Sequence, residues 1–298
     1  MLMKRETSYD FSFKIVTLLY SILILLTEQI TAQTYLAINF AKKSDKQLLN
    51  ITNTSFDNIT STKEKRVRPF ITDDARVVGD QLAQLESWVR LDKEAGQHWI
   101  LVAYGPTQKL EFSAGGVYGY QVVRDNKKFF SYALPLLQVK YLFNEYKPNK
   151  APGFGIVIGT FLPVGQGSFK PSGYGSFGYL TISQCFGEGD KFLFHGNLGG
   201  NYLHIDGSNN LILTWGLGTQ IKIYNGMHFV GEIISGDPYV PGTGVAWQAG
   251  YRYFFSDLFQ IDMTVGEGIL GEVKMPFWFT SGIRIVTEKF LKKRSPNP

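Results

Sequence analysis

Val245-Ala246-Trp247-Gln248-Ala249-Gly250-Tyr251-Arg252-Tyr253 separates by parity into two sides, with Val245, Trp247, Ala249, Tyr251 and Tyr253 on one and Ala246, Gln248, Gly250 and Arg252 on the other. A period of two marks a strand, because successive side chains leave opposite faces of a sheet. The next segment repeats the pattern, Phe259, Ile261, Met263 and Val265 opposing Gln260, Asp262, Thr264 and Gly266. In the last, Phe277, Phe279, Ile283 and Ile285 oppose Trp278, Thr280, Gly282 and Arg284. One face is apolar and ends in aromatic residues, and the other carries Gly, Gln, Thr and single charges. Three long neighbours of this kind predict a barrel turned inside out, with lipid outside and water within.

Composition fits that inversion. The chain has 298 residues, 44% of them hydrophobic and 15% aromatic, enough for a large domain. Its mean hydropathy of -0.07 is nevertheless that of a soluble protein. A transmembrane barrel combines the two because only every second strand residue meets lipid. Gly 32 against Pro 12 suits many strands and tight turns. No stretch reaches the roughly eighteen apolar residues that a spanning helix needs. The longest, residues 15–27, follows Lys4, Arg5 and Lys14 and leads to Ala32, which predicts a secretory signal peptide over 1–32. The single cysteine, Cys185, excludes an internal disulfide framework. A net charge of +5, partly in a basic tail over 291–298, comes with no basic helix or RNA-binding motif, so no nucleic-acid partner is expected.

Residues 33–67 are polar and aperiodic and read as a flexible leader. Three Asn-x-Ser/Thr triplets occur there, as chance places them in so Asn-, Ser- and Thr-rich a stretch. A single barrel domain is expected over 68–290. Turn signals divide it into about twelve strands near 81–91, 97–105, 109–122, 132–144, 152–164, 175–186, 191–205, 210–224, 227–236, 244–254, 257–267 and 275–287. The fold class is therefore all-β, an antiparallel transmembrane β-barrel. Asn225-Gly226 is a strong hairpin signal. Short connections at one end and longer polar ones at the other, such as 124–131, 165–175 and 236–244, predict tight turns on the periplasmic side and loops outside. The connection at 145–151 is long for a tight turn.

Ahead of the first strand stand Arg68, Pro69, Phe70, Thr72, Asp73 and Asp74, followed by Gln84-Leu85-Glu86. Here the chain resembles the bacterial outer-membrane barrel family named for the meta-pathway of phenol degradation, whose members carry R-P-F-x-T-D-D before a strand with Q-L-E. The resemblance implies an outer-membrane channel for small, aromatic or otherwise hydrophobic compounds. Physically, Pro69 sets an extended turn and Phe70 suits an interface. Asp73 and Asp74 can bind a cation, or more simply order the turn into the first strand.

Enzyme and cofactor signatures are weak. Gly173-Tyr174-Gly175-Ser176-Phe177-Gly178 matches G-x-G-x-x-G, but a strand follows where a dinucleotide site needs a helix. The four histidines are scattered, so no metal or other cofactor is expected. An outer-membrane phospholipase carries His-x-Ser on its lipid face, whereas the residues two after these histidines are Ile100, Asn197, Asp206 and Val230. No enzymatic activity is expected, and an outer-membrane esterase or phospholipase stands as the weaker alternative.

What remains is the lumen. By parity Glu86, Arg90, Glu111, Lys140, Lys222, Glu232, Arg252, Asp262 and Arg284 point inward, with both signs represented. Such charges line a solute path or pair to hold a narrow barrel together. The expected partners are outer-membrane lipid and a small solute of unspecified identity. A non-transporting structural or surface-binding barrel is the rival, and a soluble exported β-sandwich the weaker one.

Overall fold

The computed structural model describes residues 72–123, 127–147, 149–171, 173–187, 191–205, 208–235, 244–271 and 274–287. The expected signal peptide (1–32), the expected leader (33–67), Arg68, Pro69, Phe70 and the basic tail lie outside the described residues. Within them the chain forms β1 (Leu82–Asp92), β2 (Ala95–Gly105), β3 (Leu110–Val123), β4 (Lys127–Asn144), β5 (Gly153–Gln166) and β6 (Gly175–Phe186). It continues with β7 (Phe192–Ile205), β8 (Ser208–Tyr224), β9 (Met227–Ile234), β10 (Ala246–Ser256), β11 (Phe259–Gly268) and β12 (Trp278–Val286). Every strand pairs antiparallel with its chain neighbours, and β12 closes on β1 from Gln84 opposite Val286 to Asp92 opposite Trp278. Closure leaves no edge, as a membrane demands of a sheet.

The pleat is inverted. Ile158 (58%), Leu180 (57%), Leu198 (58%), Val102 and Met263 (both 50%) are exposed outward. Gln97, Ser131, Gln138, Thr181, Ser183, Gln248, Thr264 and Thr280 are buried inside. A polar interior with an apolar exterior is the arrangement of outer-membrane barrels.

The strand boundaries agree with the parity reading except at β4, which begins at Lys127 instead of near 132. Lys127-Lys128-Phe129-Phe130 does not alternate, yet it pairs with Tyr120 to Val123 of β3 and carries the wall upward. Connections are also less regular than their lengths suggest. The β1–β2 connection, at the loop end, is tight because Asp92 Oδ1 accepts the backbone N–H of Glu94 (2.7 Å) and Ala95 (2.8 Å), an Asx turn. The connection after β4 is closed by Lys147 N–H donating to Ala151 (2.9 Å), with Asn149 in the left-handed region (φ 56°).

Wall height is uneven. β3, β4, β5, β7 and β8 run for 14, 18, 14, 14 and 17 residues, against 8, 11, 10 and 9 for β9 to β12. Across β1 to β6, Trp88, Trp99, Leu101, Val117, Leu136, Phe161 and Phe177 form an apolar cluster toward the loop end, into which Phe169 dips from a short 3-10 turn (Gly167–Phe169). Trp88 and Trp99 stack with centroids 6.2 Å apart. A second cluster of Ile234, Ala246, Met275 and Trp278 occupies the same end of the lower half.

Candidate functional site in the barrel interior

The polar half of the lumen is occupied by the chain itself. Residues 72–78, upstream of β1, cross the interior, and their backbone amides find partners on the inward faces of β3, β6, β7 and β9. Thr72 N–H donates to Glu232 Oε2 (2.8 Å), Asp73 N–H to Asn197 Oδ1 (2.5 Å), Ala75 N–H to Ser183 Oγ (2.7 Å) and Val78 N–H to Glu111 Oε2 (2.7 Å). The Asp73 carbonyl accepts from Asn197 Nδ2 (2.8 Å) and Thr181 Oγ1 (2.7 Å). An irregular segment has no ladder partner, so its buried amides must be met by side chains, and inward strand positions supply them.

Asp73 and Asp74 are therefore not turn-formers. Lys140 Nζ on β4 lies 2.8 Å from Asp73 Oδ1 and 3.8 Å from Asp74 Oδ1, and Tyr179 OH donates to Asp73 Oδ2 at 3.3 Å. Arg76 Nε holds Asp74 Oδ2 at 2.7 Å. Burial by itself would raise the Asp74 carboxyl, but the Arg76 guanidinium and the Lys140 ammonium outweigh it and hold the group well below the usual carboxylate range. The segment fits because the wall gives way. A Cβ on Gly216 would lie 2.5 Å from Thr72 Oγ1. Inward glycines thus do not leave empty space, since Trp278 lies over Gly266 and His195 over Gly218 in the same manner.

The predicted inward charges fall into two groups. Glu86, Glu111, Lys140, Arg252, Asp262 and Arg284 border a cavity of about 250 Å³ beside the segment. Arg252 grips Asp262 in a bidentate pair (Nε to Oδ1 2.7 Å, Nη2 to Oδ2 3.1 Å) and donates to Gln220 Oε1 (3.0 Å). Arg284 stands opposite Glu86 across the β1–β12 seam. The other three are elsewhere. Arg90 is fully buried with its guanidinium 4.5 Å from the Trp278 ring and 3.5 Å from Asp92. Glu232 is buried between Thr72 and Gln248. Lys222 is half-buried near the turn between β8 and β9.

A closed barrel of this strand number, polar inside and crossed by its own chain, can be set beside solved structures. The COG4313 outer membrane channel from Pseudomonas putida F1 superposes with a TM-score of 0.54 at 11% identity, over 74% of this chain and 100% of that one. The chain has the porin-like fold of outer-membrane barrels. Weaker likenesses are the KdgM porin in complex with disordered oligogalacturonate (TM-score 0.49, 10% identity, 69% of this chain and 99% of that one) and the NanC porin (0.45, 11%, 70% and 100%). No protein-family model matches the chain, and no curated protein is similar to it in sequence.

In this porin-like barrel, Arg76, Tyr179, Ser183, His195, Asn197 and Gln220 belong to the site without having been singled out by sequence. Ser183, Asn197 and Gln220 are ordinary inward polar residues by parity, and only the segment lying on them distinguishes them. The usable signal was Thr72-Asp73-Asp74, two carboxylates ahead of a barrel that carries an inward lysine on β4.

Proposed function

We propose that the chain is an outer-membrane channel for small solutes in which residues 72–78 form the constriction. The apolar exterior suits lipid, and the fold is one that outer-membrane channels use. The observation that carries the reading is the cavity left beside the segment, bordered by Glu86, Arg252, Asp262 and Arg284 on one side and by Lys140, Glu111 and the two segment carboxylates on the other. Fixed charges in a tube with low-dielectric walls act strongly on whatever enters it. Toward the loop end the lumen changes character, and Trp88, Trp99, Phe161 and Phe177 form a buried apolar layer whose chemistry suits solutes with an aromatic or aliphatic part. This agrees with the substrates implied by the phenol-pathway resemblance in Thr72-Asp73-Asp74.

The test is reconstitution of the full chain in planar bilayers with paired reversal-potential and heat-stability measurements. Arg252→Gln with Arg284→Gln should move the reversal potential toward cation selectivity, because Asp262 and Glu86 are left unopposed. Stability should fall only modestly, since water in the lumen resolvates them. The interior is filled well enough to favour a second reading, a structural barrel held by its ion pairs. That reading expects no conductance and a clear loss of heat stability in the same variant.

A further inference from the structure

Three polar side chains meet on the outer wall, away from the lumen. Ser87 on β1, His98 on β2 and Tyr118 on β3 alternate with inward Trp88, Trp99 and Val117, so all three face outward. Pairing sets Tyr118 directly opposite His98, and His98 opposite Val89, which makes Ser87 the diagonal neighbour of His98. Ser87 Oγ lies 2.8 Å from His98 Nε2. His98 Nδ1 is hydrogen-bonded to the Tyr118 hydroxyl, whose ring meets the imidazole edge-on at a centroid distance of 4.8 Å. Around them Leu85, Val89, Ile100 and Val102 present bare hydrocarbon.

Polar groups in such a band are costly without partners, and apolar residues are the simpler solution that most of this band adopts. What sets this cluster apart is its order. A hydroxyl sits on one imidazole nitrogen and an orienting oxygen on the other, the relation of nucleophile, base and positioning group in acyl transfer. His98 stands about 15 Å along the barrel axis from Tyr104 at the turn end, taking about 3.4 Å per residue and a tilt of about 40°, in an apolar band about 25 Å tall. Just beyond it Tyr120, with the Lys128 ammonium 4.4 Å from its ring, marks the loop-side interface. His98 thus stands among acyl chains below that interface, and an ester reaches it by dipping in from the headgroup side.

We propose that Ser87, His98 and Tyr118 form an acyl-transfer site on the outer wall that takes carboxylic esters of acyl chains lying in the membrane. With the Nδ1 proton donated to the Tyr118 oxygen, Nε2 takes the Ser87 hydroxyl proton as Oγ attacks the ester carbonyl carbon. The bond from that carbon to the alkoxy oxygen breaks, and the alcohol leaves with the proton from Nε2. Water then attacks the Ser87 ester, giving its proton to Nε2. The carboxylic acid departs, the proton returns to Oγ, and the sum is ester plus water to acid plus alcohol. Ser87 and His98 are the catalytic residues. Tyr118, acting through the imidazole, is a positioning residue.

The test uses the full chain in detergent micelles with a fluorophosphonate probe, reading the modified peptide by mass. Labelling is expected at Ser87, to be lost in Ser87→Ala and slowed about 100-fold or more in His98→Gln, the scale of general-base assistance. Tyr118→Phe should slow labelling and shift the midpoint of its pH profile, which loss of packing alone would not do. Heat-modifiable migration checks that each variant is folded, and if Ser87→Ala fails that check the modified peptide of the wild type decides. Two ester sources are then compared: fatty acid released from phospholipid vesicles assigns membrane lipid, and turnover of micellar p-nitrophenyl octanoate alone assigns dissolved esters. No labelling of the folded wild type, a label on another residue, or equal rates in the wild type and His98→Gln overturns the proposal.

Discussion

Replacing Lys140 with Met should unlatch the segment from the lumen. The Lys140 side chain is 3% exposed and its ammonium lies 2.8 Å from Asp73 and 3.8 Å from Asp74, while Asp73 and Asp74 retain 27% and 23% exposure. Deleting one partner of a buried pair costs about 3–5 kcal/mol when the other is stranded. Here both carboxylates keep some water, Asp73 keeps Tyr179 and Asp74 keeps Arg76, so the loss is about 2–3 kcal/mol. At about 1.4 kcal/mol per factor of ten, the ratio of docked to released segment falls by about 30- to 150-fold. Ordering seven residues costs backbone entropy of the same size as the bonds that hold them, so a loss on this scale registers. In planar bilayers Lys140→Met should show larger and more frequent openings than the wild type, and Lys140→Arg should stay close to it. Identical event frequency and amplitude in all three proteins would refute both the latch and the placement of the constriction.

Three further expectations test separate parts of the structure. Gly216→Val brings a side chain against Thr72, so conductance should rise while strand content, read by circular dichroism, stays unchanged. Val265→Arg should impair assembly, since a charge in hydrocarbon near the midplane costs about 2–4 kcal/mol, whereas inward Gln260→Arg should fold; equal yields of heat-modifiable barrel would contradict the assigned faces. Trp278→Ala empties a site that is 1% exposed and removes the surface against which Arg90 rests, so the barrel should lose about 3–5 kcal/mol and its heat-modification midpoint should drop.

The wall was legible because a membrane barrel writes its geometry at period two, and one polar residue out of phase is expensive in lipid. Arg252, Asp262 and Arg284 could be assigned inward from their neighbours alone, and Asn225-Gly226 announced its own turn. β4 was cut short because Lys127 to Phe130 alternate in neither polarity nor size, although pairing with β3 decides their conformation. The path of residues 72–78 was not legible for a related reason. It follows no period, so its conformation comes from partners more than a hundred residues away, such as Glu232 and Asn197. Ser87, His98 and Tyr118 were invisible in the same way. A search for a histidine and a serine two residues apart looks along one strand, whereas here each member sits on a different strand and the ladder brings them together.

The position of the seam bears on how the barrel is made. β1 and β12 are the first and last strands, so until they pair the molecule is a curling sheet of hairpins with an open concave face. The segment that precedes β1 finds its partners on β3, β4, β6, β7 and β9, none of them at that seam. It can therefore be laid across the unclosed sheet from the side and sealed in when the ends meet, with no need to thread a finished tube. Lying there, it ties strands a third of the circumference or more apart before closure. The residues that later narrow the passage would thus act during biogenesis as an internal template for its curvature.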